Sequence, residues 1–484
     1  MVFSSHIFLY YFLPLALGGY FLCPRRIRHA FLTLASYAFY GWANPLFVVL
    51  MFVSTLIDYG CGLALVSRRA TGLARRVDSL EPGGRRSRTQ KLTVVASVVS
   101  NLSLLGFFKY FNFFVANYDA LAQSLGLPGV GGDVIRVTLP LGISFYTFQS
   151  MSYTIDLYRG HARVLRHFID FACFVSLFPQ LVAGPIIRFS DIEDQLRSRT
   201  HTFEKFARGM AFLALGSAKK ILLANPCGKI ADTAFNAPGL DPLDAWYGVS
   251  AYAMQIYFDF SAYSDMAIGM GLMFGFMFAK NFDSPYLSAS ITEFWRRWHL
   301  SLSSWLRDYL YIPLGGNRKG PLRTYFNLAA VMLLGGLWHG AAWTFVAWGA
   351  IHGGMLILER LMGKSPLYAA LPRTLKIALT FVIVLFSWVF FRADDLPAAV
   401  AYCGAMLGLS PVNPAAGLIG GLIYQPYYLG TFALAMGVAF LSPQTWDFTR
   451  TLTTRRILWC IVVFWLSLAV LATQEFNPFI YFIF

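Results

Sequence analysis

Long stretches without charged residues recur along the whole chain and limit its possible folds more than any other feature. Many exceed about 18 residues, enough to cross a hydrocarbon core of about 30 Å as a helix. Charged residues make up only 13% of the 484 residues, against about 25% in average soluble domains. The sequence therefore predicts an all-α, polytopic integral membrane protein. The apolar segments lie near residues 6–22, 30–66, 92–116, 134–157, 168–187, 206–224, 245–278, 325–361, 374–391, 398–443 and 455–473.

The apolar segments predict about ten to thirteen membrane helices of about 20 residues each. No soluble domain and no internal repeat is detectable, so we predict one membrane domain spanning residues 1–484. Segment 168–187 contains Pro179 and Gly184-Pro185 and is predicted to be re-entrant. Because broken backbone is tolerated at membrane depth only under protein or water, we expect this segment to be covered.

Basic residues predict the orientation of the chain, whose formal net charge is +15. Clusters at 25–28, 68–91 and 450–456 are expected in the cytoplasm, which places both termini on the outer side. The excess of positive charge is also expected to attract anionic lipid headgroups or an anionic cosubstrate. Nothing indicates nucleic-acid binding, and the six scattered cysteines predict neither a metal site nor a disulfide framework.

A polar, aromatic stretch, SITEFWRRWHLSLSSWLRDYLYIPLGGNRKG, begins at Ser290 between apolar segments. Ser290 followed by Glu293 predicts a capping box, and Pro313 ends a helix of about 20 residues. The helix is amphipathic, so it either lies at the membrane interface, with a solvated His299, or lines a polar cavity. Its polar stripe comprises Arg296, His299, Ser303 and Arg307.

A second histidine, His339, lies inside the apolar run LLGGLWHGAAW. An ionisable residue within the membrane indicates a functional site, although a buried histidine bonded to a backbone carbonyl is the alternative. Small neighbours predict close helix packing. His352 follows 13 residues later, on a different side of a continuous helix, and should not share the face of His339. Asp259 and Asp265 are expected to be hydrogen-bonded structural groups between helices.

No phosphate-binding glycine loop, zinc-protease motif or nucleophile elbow occurs. The chemical candidates are therefore the two membrane-region histidines, His299 and His339. Histidine is the side chain best suited to general-base catalysis near neutral pH. The residues alone leave two classes open, a histidine-dependent membrane enzyme and a transporter with a proton relay.

Long motifs in order along nearly the whole chain resemble the membrane-bound O-acyltransferase family, and closely its bacterial alginate O-acetylase branch. Gln180 stands where that branch has histidine. The motifs are MVFSSHIFLYYFLPL, LGISFYTFQSMSYTIDLYRG, LFPQLVAGPIIRF, QIYFDFSAYSDMAIGMGLMFGF, FWRRWHLSLSSWLRDYLYIPLGGNR, LLGGLWHGAAW and NPFIYFIF.

The resemblance implies a ring of helices around a thinned centre, pierced by a tunnel that joins both membrane faces. It implies that His339 is the catalytic histidine of the WHG motif and His299 the second histidine, of WHLS. It also implies that the helix that begins at Ser290 lines the tunnel wall and does not lie at the membrane interface, with its polar stripe turned toward the cavity.

The resemblance further implies a multi-pass protein of the bacterial inner membrane, with both termini periplasmic and membrane lipids around it. Acetyl-CoA is the expected acyl donor, approaching from the cytoplasm, and no cofactor is expected to be bound permanently. The expected partners are a periplasmic acetyltransferase and the exopolysaccharide biosynthesis machinery. The basic residues expected to attract the donor's phosphates are Arg296, Arg307, Arg318 and Lys319.

Alginate is the leading acceptor under this resemblance, with His339 as general base. Other cell-envelope polymers stay open, namely cellulose, peptidoglycan or, with D-alanine, teichoic acid. A non-catalytic transporter of the acyl donor or of the polysaccharide is the alternative outside the enzyme class.

Overall fold

The chain folds into helices that form two compact units. The structure, a computed structural model, describes residues 2–42, 44–72, 77–130, 136–363, 370–474 and 476–478. No strand occurs in those ranges, so the all-α prediction is confirmed. One unit comprises Met1–Ala207 with Met270–Phe278, and the other Arg208–Gly269 with Ala279–Phe484. The single domain over residues 1–484 stays a prediction.

The first unit contains nine complete α-helices within the described residues, and a buried acid connects three of them. The carboxylate of Asp58 accepts hydrogen bonds from Ser97 Oγ at 2.5 Å, Asn101 Nδ2 at 2.7 Å and Ser150 Oγ. Such buried polar groups are stable only when hydrogen-bonded. The helices are α1 (Leu13–Leu22), α2 (Arg28–Gly41), α3 (Pro45–Leu65), α4 (Arg68–Thr71), α5 (Arg88–Ser124), α6 (Ile143–Arg159), α7 (Phe168–Ser176), α8 (Phe178–Leu181) and α9 (Phe189–Arg197).

Segment 168–187 is broken as its proline and glycines predict. Helix α7 ends at Ser176, the short helix α8 covers Phe178–Leu181, and the chain from Val182 to Ile187 is irregular. Every residue from Phe171 to Ile187 is buried, so the broken backbone is covered by protein, as expected. The membrane face from which it enters stays a prediction.

The second unit contains both candidate histidines. A π-helical segment, Lys219–Ala224, follows α10, and another, Arg307–Tyr311, follows α14. The helices are α10 (Phe203–Ala218) and α12 (Pro242–Met273), which each cross a unit boundary, and α11 (Asn225–Phe235), α13 (Ile291–Trp295), α14 (Leu300–Leu306), α15 (Pro321–His339), α16 (Trp343–Leu361), α17 (Arg373–Arg392), α18 (Leu396–Met406), α19 (Gly420–Ile423), α20 (Pro426–Leu441), α21 (Thr445–Phe448) and α22 (Thr454–Thr473).

Four helices of the described chain, α3, α5, α17 and α22, are long and apolar enough to cross a membrane. Most residues in their apolar stretches are not buried by protein, which suits contact with lipid. Shorter apolar helices lie at Ile7–Leu22, Leu396–Met406 and Pro426–Leu441. Fewer helices are both long and apolar enough than the ten to thirteen predicted, because segments such as 168–187 are divided and the long helices α12, α15 and α16 are not apolar enough. The number of spans therefore stays a prediction.

Helices α15 and α16 form a hairpin whose backbones touch. A Cβ at Gly336 would lie 2.2 Å from the carbonyl oxygen of Phe345, and one at Gly349 would lie 2.4 Å from that of Met332. Only glycine permits this approach, so the close packing that the small residues predict around His339 is confirmed.

The predicted helix from Ser290 to Pro313 is not continuous. Its capping is as expected, since Ser290 Oγ accepts from the backbone N–H of Glu293 at 3.0 Å. Helix α13, however, ends at Trp295, and α14 begins at Leu300. The intervening backbone pairs with residues 281–283 instead, because Asp283 N–H donates to Arg297 and Leu300 N–H donates to Asn281. These long-range bonds replace part of the helical ladder.

Candidate active site

His299 lies at the break between α13 and α14, in a conformation rare for a residue with a side chain. Its φ of 43° and ψ of 56° are left-handed, a region that non-glycine residues seldom adopt. The two backbone bonds to residues 281–283 hold this conformation. Strained backbone of this kind is concentrated at functional sites, where it aims a side chain.

The His299 imidazole is fully buried and has distinct surroundings at its two nitrogens. Nδ1 lies 3.2 Å from Asn281 Oδ1 and 3.4 Å from Ser301 Oγ. Nε2 has no hydrogen-bond partner in the described part of the chain. Phe260 packs edge-on against the ring at a centroid distance of 4.5 Å. The ring is thus anchored through Nδ1, whereas Nε2 makes no hydrogen bond to the described protein.

His339 is the last residue of α15 and lies in an aromatic cage. Trp338, Trp348 and Phe391 surround its ring at centroid distances of 5.0, 5.2 and 5.3 Å. The side chain is 8% exposed. Gly340 follows in extended conformation, and a Cβ there would overlap the Phe345 ring at 2.0 Å. The WHG sequence therefore ends the helix at the histidine and fixes where its imidazole sits.

The two candidate histidines lie together. Their ring centroids are 6.5 Å apart with an interplanar angle of 59°, and Trp338 is 6.3 Å from His299. Both belong to the second unit. Two imidazoles at this spacing, buried among aromatic rings, can hold and move a proton in a water-poor environment.

The predicted polar stripe does not form one face. His299 is buried, whereas Arg296 and Arg307 are exposed and Ser303 is half-buried. Arg307 is paired with the neighbouring Asp308, with nitrogen–oxygen distances of 2.7 and 3.0 Å. The prediction was wrong because it assumed one uninterrupted helix, and the break at His299 rotates the residues on either side of it.

His352 lies closer to His339 than a continuous helix would allow. The chain turns between α15 and α16, and Trp348 packs against both histidines, at 5.2 Å from His339 and 4.8 Å from His352. Both nitrogens of His352 have partners, Trp295 Nε1 at 3.3 Å and Ser387 Oγ at 3.1 Å. We therefore interpret His352 as a structural residue that connects α13, α16 and α17.

Asp259 and Asp265 are paired with two consecutive lysines that no sequence pattern singled out. Lys220 Nζ lies 2.8 Å from Asp259, and Lys219 Nζ lies 2.8 Å from Asp265. The Lys220–Asp259 pair is almost completely buried. The expected structural role between helices is therefore correct, but the interaction is ionic.

A cavity of about 640 Å³ lies beside the N-terminal end of α13, within the usual size range of ligand pockets. The exposed arginines Arg296 and Arg360 line it and have no acidic partner among the described residues. The two acids there are already engaged, Glu293 by Arg297 at 2.8 Å and Glu359 by backbone N–H groups of α13. Arg296 and Arg360 are therefore the charged groups of this cavity that have no strong partner among the described residues and could meet an anion.

A further histidine cluster, in the first unit, was not predicted. His29 Nδ1 lies 2.5 Å from Asp170, and Arg199 lies 2.6 Å from His29 Nε2. An arginine can only donate, so it occupies the lone pair that a base would use. No local motif marks this cluster, because its members come from α2, α7 and the segment after α9.

Comparison with known proteins gives the family. The membrane-bound O-acyltransferase family profile matches residues 130–392. A Pseudomonas putida protein named "probable alginate O-acetylase" is 44% identical over all of both chains. A Pseudomonas aeruginosa protein of the same name is 46% identical over 90% of this chain and 82% of its own. A Helicobacter pylori peptidoglycan O-acetyltransferase is 35% identical over 85% and 81%.

Both candidate histidines lie inside the matched region. Together with its all-α, multi-pass architecture, these matches establish that the chain belongs to the membrane-bound O-acyltransferase family.

Proposed function

We propose that the chain transfers acetyl groups from a thioester donor, acetyl-CoA, toward the hydroxyl groups of an exopolysaccharide, most directly alginate. The single observation that carries the chemistry is the buried pair of imidazoles, His299 and His339, with ring centroids 6.5 Å apart. The names of the two Pseudomonas relatives support alginate as the acceptor.

His339 acts as the general base. Its ring lies at the end of α15, is held by three aromatic rings and keeps a small exposed surface. The aromatic cage keeps bulk water away from the imidazole, which protects the thioester from hydrolysis. Proton transfer to a positioned base contributes roughly 10²–10⁴-fold to a rate.

The transfer balances without any further reactant. His339 takes the proton of the acceptor hydroxyl while that oxygen bonds to the thioester carbonyl carbon. The carbon–sulfur bond then breaks, and the departing thiolate receives the proton from the His339 imidazolium. One ester and one thiol result, and the histidine returns to its neutral form.

The cavity beside α13 is the proposed binding site for the donor's phosphates. Of the four basic residues expected there, only Arg296 lines the cavity, and Arg360 joins it from α16. Arginine binds phosphate oxygens in bidentate fashion. Aromatic contacts lead from this site to the base, since Trp295 packs against Trp348 at 5.7 Å and Trp348 packs against His339.

The cellular setting follows from the same proposal. The protein is expected in the bacterial inner membrane, surrounded by lipid, with both termini periplasmic and the donor on the cytoplasmic side. A periplasmic acetyltransferase and the exopolysaccharide machinery would take over the acetyl group. The end of the chain beyond Pro478 lies outside the described residues. Just before it, Asn477 Oδ1 accepts a hydrogen bond from Asn225 Nδ2 at 3.3 Å.

The test uses three histidine variants in a bacterium that makes alginate and lacks its own copy of this gene. The O-acetyl content of the secreted polymer is measured at matched membrane levels of each variant. His339→Ala should lose at least about 10²-fold in acetylation, and His299→Ala should lose most of it. His161→Ala, at an exposed histidine in the first unit, is the matched control and should acetylate normally.

Substantial acetylation by a well-expressed His339→Ala protein would exclude the base and favour a transporter of donor or polymer. The Helicobacter relative supports peptidoglycan as a second acceptor. Measuring the O-acetyl content of muropeptides in the same strains separates the two, because only the true acceptor should lose acetyl groups with His339→Ala.

A further inference from the structure

We propose that Asn281 is a positioning residue that fixes the proton of His299 on Nδ1, so that Nε2 presents a lone pair to the reacting groups. Asn281 lies between α12 and α13 and is buried together with Ser264 and Ser301. Its side chain contacts the His299 ring, and its backbone carbonyl accepts from the N–H of Leu300, the next residue in the chain.

The orientation of the Asn281 amide is set by a group whose polarity cannot change. The backbone N–H of Ser301 lies 3.2 Å from one amide atom of Asn281. Because a backbone N–H only donates, that atom must be the oxygen, Oδ1. The other amide atom, Nδ2, then donates to Ser264 Oγ at 2.8 Å. The reverse orientation would bring two N–H groups into contact.

The fixed amide decides the tautomer of His299. Nδ1 of the imidazole lies 3.2 Å from Asn281 Oδ1, and two lone pairs facing each other in a buried site would repel. Ser301 Oγ donates to the same oxygen at 2.8 Å, so its own lone pairs also face Nδ1, at 3.4 Å. Two acceptors therefore surround Nδ1, and in the neutral ring it must carry the proton.

The consequence concerns the opposite side of the ring. With Nδ1 protonated, Nε2 of neutral His299 carries a lone pair and has no partner in the described part of the chain. Such an atom accepts a hydrogen bond or a proton but cannot donate one to a developing oxyanion. His299 is thus assigned to the hydroxyl or thiol side of the transfer, beside His339, and not to the thioester carbonyl oxygen.

The tautomer is measured directly on full-length protein labelled with [15N]histidine and reconstituted in lipid. Nitrogen–proton correlation spectra report which ring nitrogen is protonated, and loss of one signal set in His299→Phe identifies His299 among the eight histidines. We expect protonated Nδ1 and unprotonated Nε2. The tautomer can be measured whether or not the proposed function is correct. Only the expected effect on turnover rests on the proposed function.

Three variants complete the test. Asn281→Leu removes the acceptor and should release the Nδ1 proton, with turnover lower by about 10²-fold and the donor KM little changed. Asn281→Asp keeps an oxygen toward His299 and should keep Nδ1 protonated and recover much of the turnover. Ser264→Ala removes only the contact to Nδ2, so it is the matched control and should leave the tautomer unchanged.

Protonated Nε2 with bare Nδ1 in the neutral wild-type ring would overturn the inference, as would a retained Nδ1 proton in Asn281→Leu. If Asn281→Leu fails to fold, the wild-type and Asn281→Asp spectra still decide the tautomer. A correct tautomer with no acetyl transfer by the wild-type protein would instead contradict the proposed function alone.

Discussion

The carboxylate of Glu359, on α16, accepts hydrogen bonds from the first backbone N–H groups of α13, at 2.7 Å from Ile291 and 2.9 Å from Thr292. The Thr292 hydroxyl donates to the same carboxylate at 2.7 Å. A side chain from a distant helix thus satisfies donors that the start of a helix leaves free. Because α13 leads directly to His299, the position of the second histidine depends on α16, which follows His339.

We expect Glu359→Gln to destabilise the protein. An amide offers one oxygen where the carboxylate offers two, and its N–H groups face the donors of α13. A buried donor left without a partner costs about 1–3 kcal/mol, so the free energy of unfolding in detergent should fall by that amount. Asp394→Asn, at an exposed acid after α17, is the control and should change stability little. Equal stability of the two variants would contradict the capping role.

The hairpin of α15 and α16 gives a second prediction, at Gly349. An added Cβ would meet the Met332 carbonyl oxygen at 2.4 Å and could not move aside from backbone atoms. Overpacking costs about 1–3 kcal/mol, more than the gain of up to about 1 kcal/mol from replacing a helical glycine by alanine. Gly349→Ala should therefore lower the thermal midpoint and also reduce turnover, because α15 ends at His339.

Gly354 in the same helix is the matched control for that prediction. Nothing lies within 4 Å of a Cβ added there, so Gly354→Ala should be neutral or slightly stabilising. If both variants behaved alike, helix propensity and not the close approach of the two helices would account for the effect at Gly349.

The buried pair of Lys220 and Asp259 gives a third prediction. Both side chains are almost completely buried, and their nitrogen and oxygen lie 2.8 Å apart. Removing one partner of such a pair leaves an uncompensated charge and costs about 3–5 kcal/mol. Lys220→Met should therefore be strongly destabilised, as measured by the free energy of unfolding in detergent. Adding Asp259→Leu should restore much of the loss, and a double variant as unstable as the single one would argue against the ion pair.

The features that the sequence predicted are those that short segments determine. The Ser290 cap and the broken segment after α7 depend on residues a few positions apart, and the close packing around His339 depends on small residues within one helical hairpin. The pairing of His299 with His339 came from a family resemblance and not from periodicity. That prediction depended on two separate motifs, and no local sequence pattern determines how they lie relative to each other.

What the sequence missed depends on contacts between distant residues. The break at His299 exists because residues 281–283 replace helical hydrogen bonds, and the uninterrupted amphipathic pattern gave no sign of it. The lysine partners of Asp259 and Asp265 come from another helix. Arg360 and Asn281 were missed for the same reason. Each matters because of a residue that is remote in sequence, Arg296 for Arg360 and His299 for Asn281.

The last prediction concerns the two arginines at the cavity beside α13. Because Arg296 and Arg360 carry charge that no described acid neutralises, each should contribute a charged hydrogen bond to a phosphate, worth about 1.5–3 kcal/mol. Arg296→Gln and Arg360→Gln should each raise the KM for acetyl-CoA by about 10–100-fold, with a small effect on kcat. The measurement is acetyl transfer in inverted membrane vesicles at varied donor concentration. Arg307→Gln is the control, because Arg307 is already paired with Asp308, and its KM should stay close to the wild-type value. An unchanged KM in both cavity variants would mean that the donor's phosphates bind elsewhere, whereas an increase confined to Arg307→Gln would return the donor site to the basic turn that follows α14.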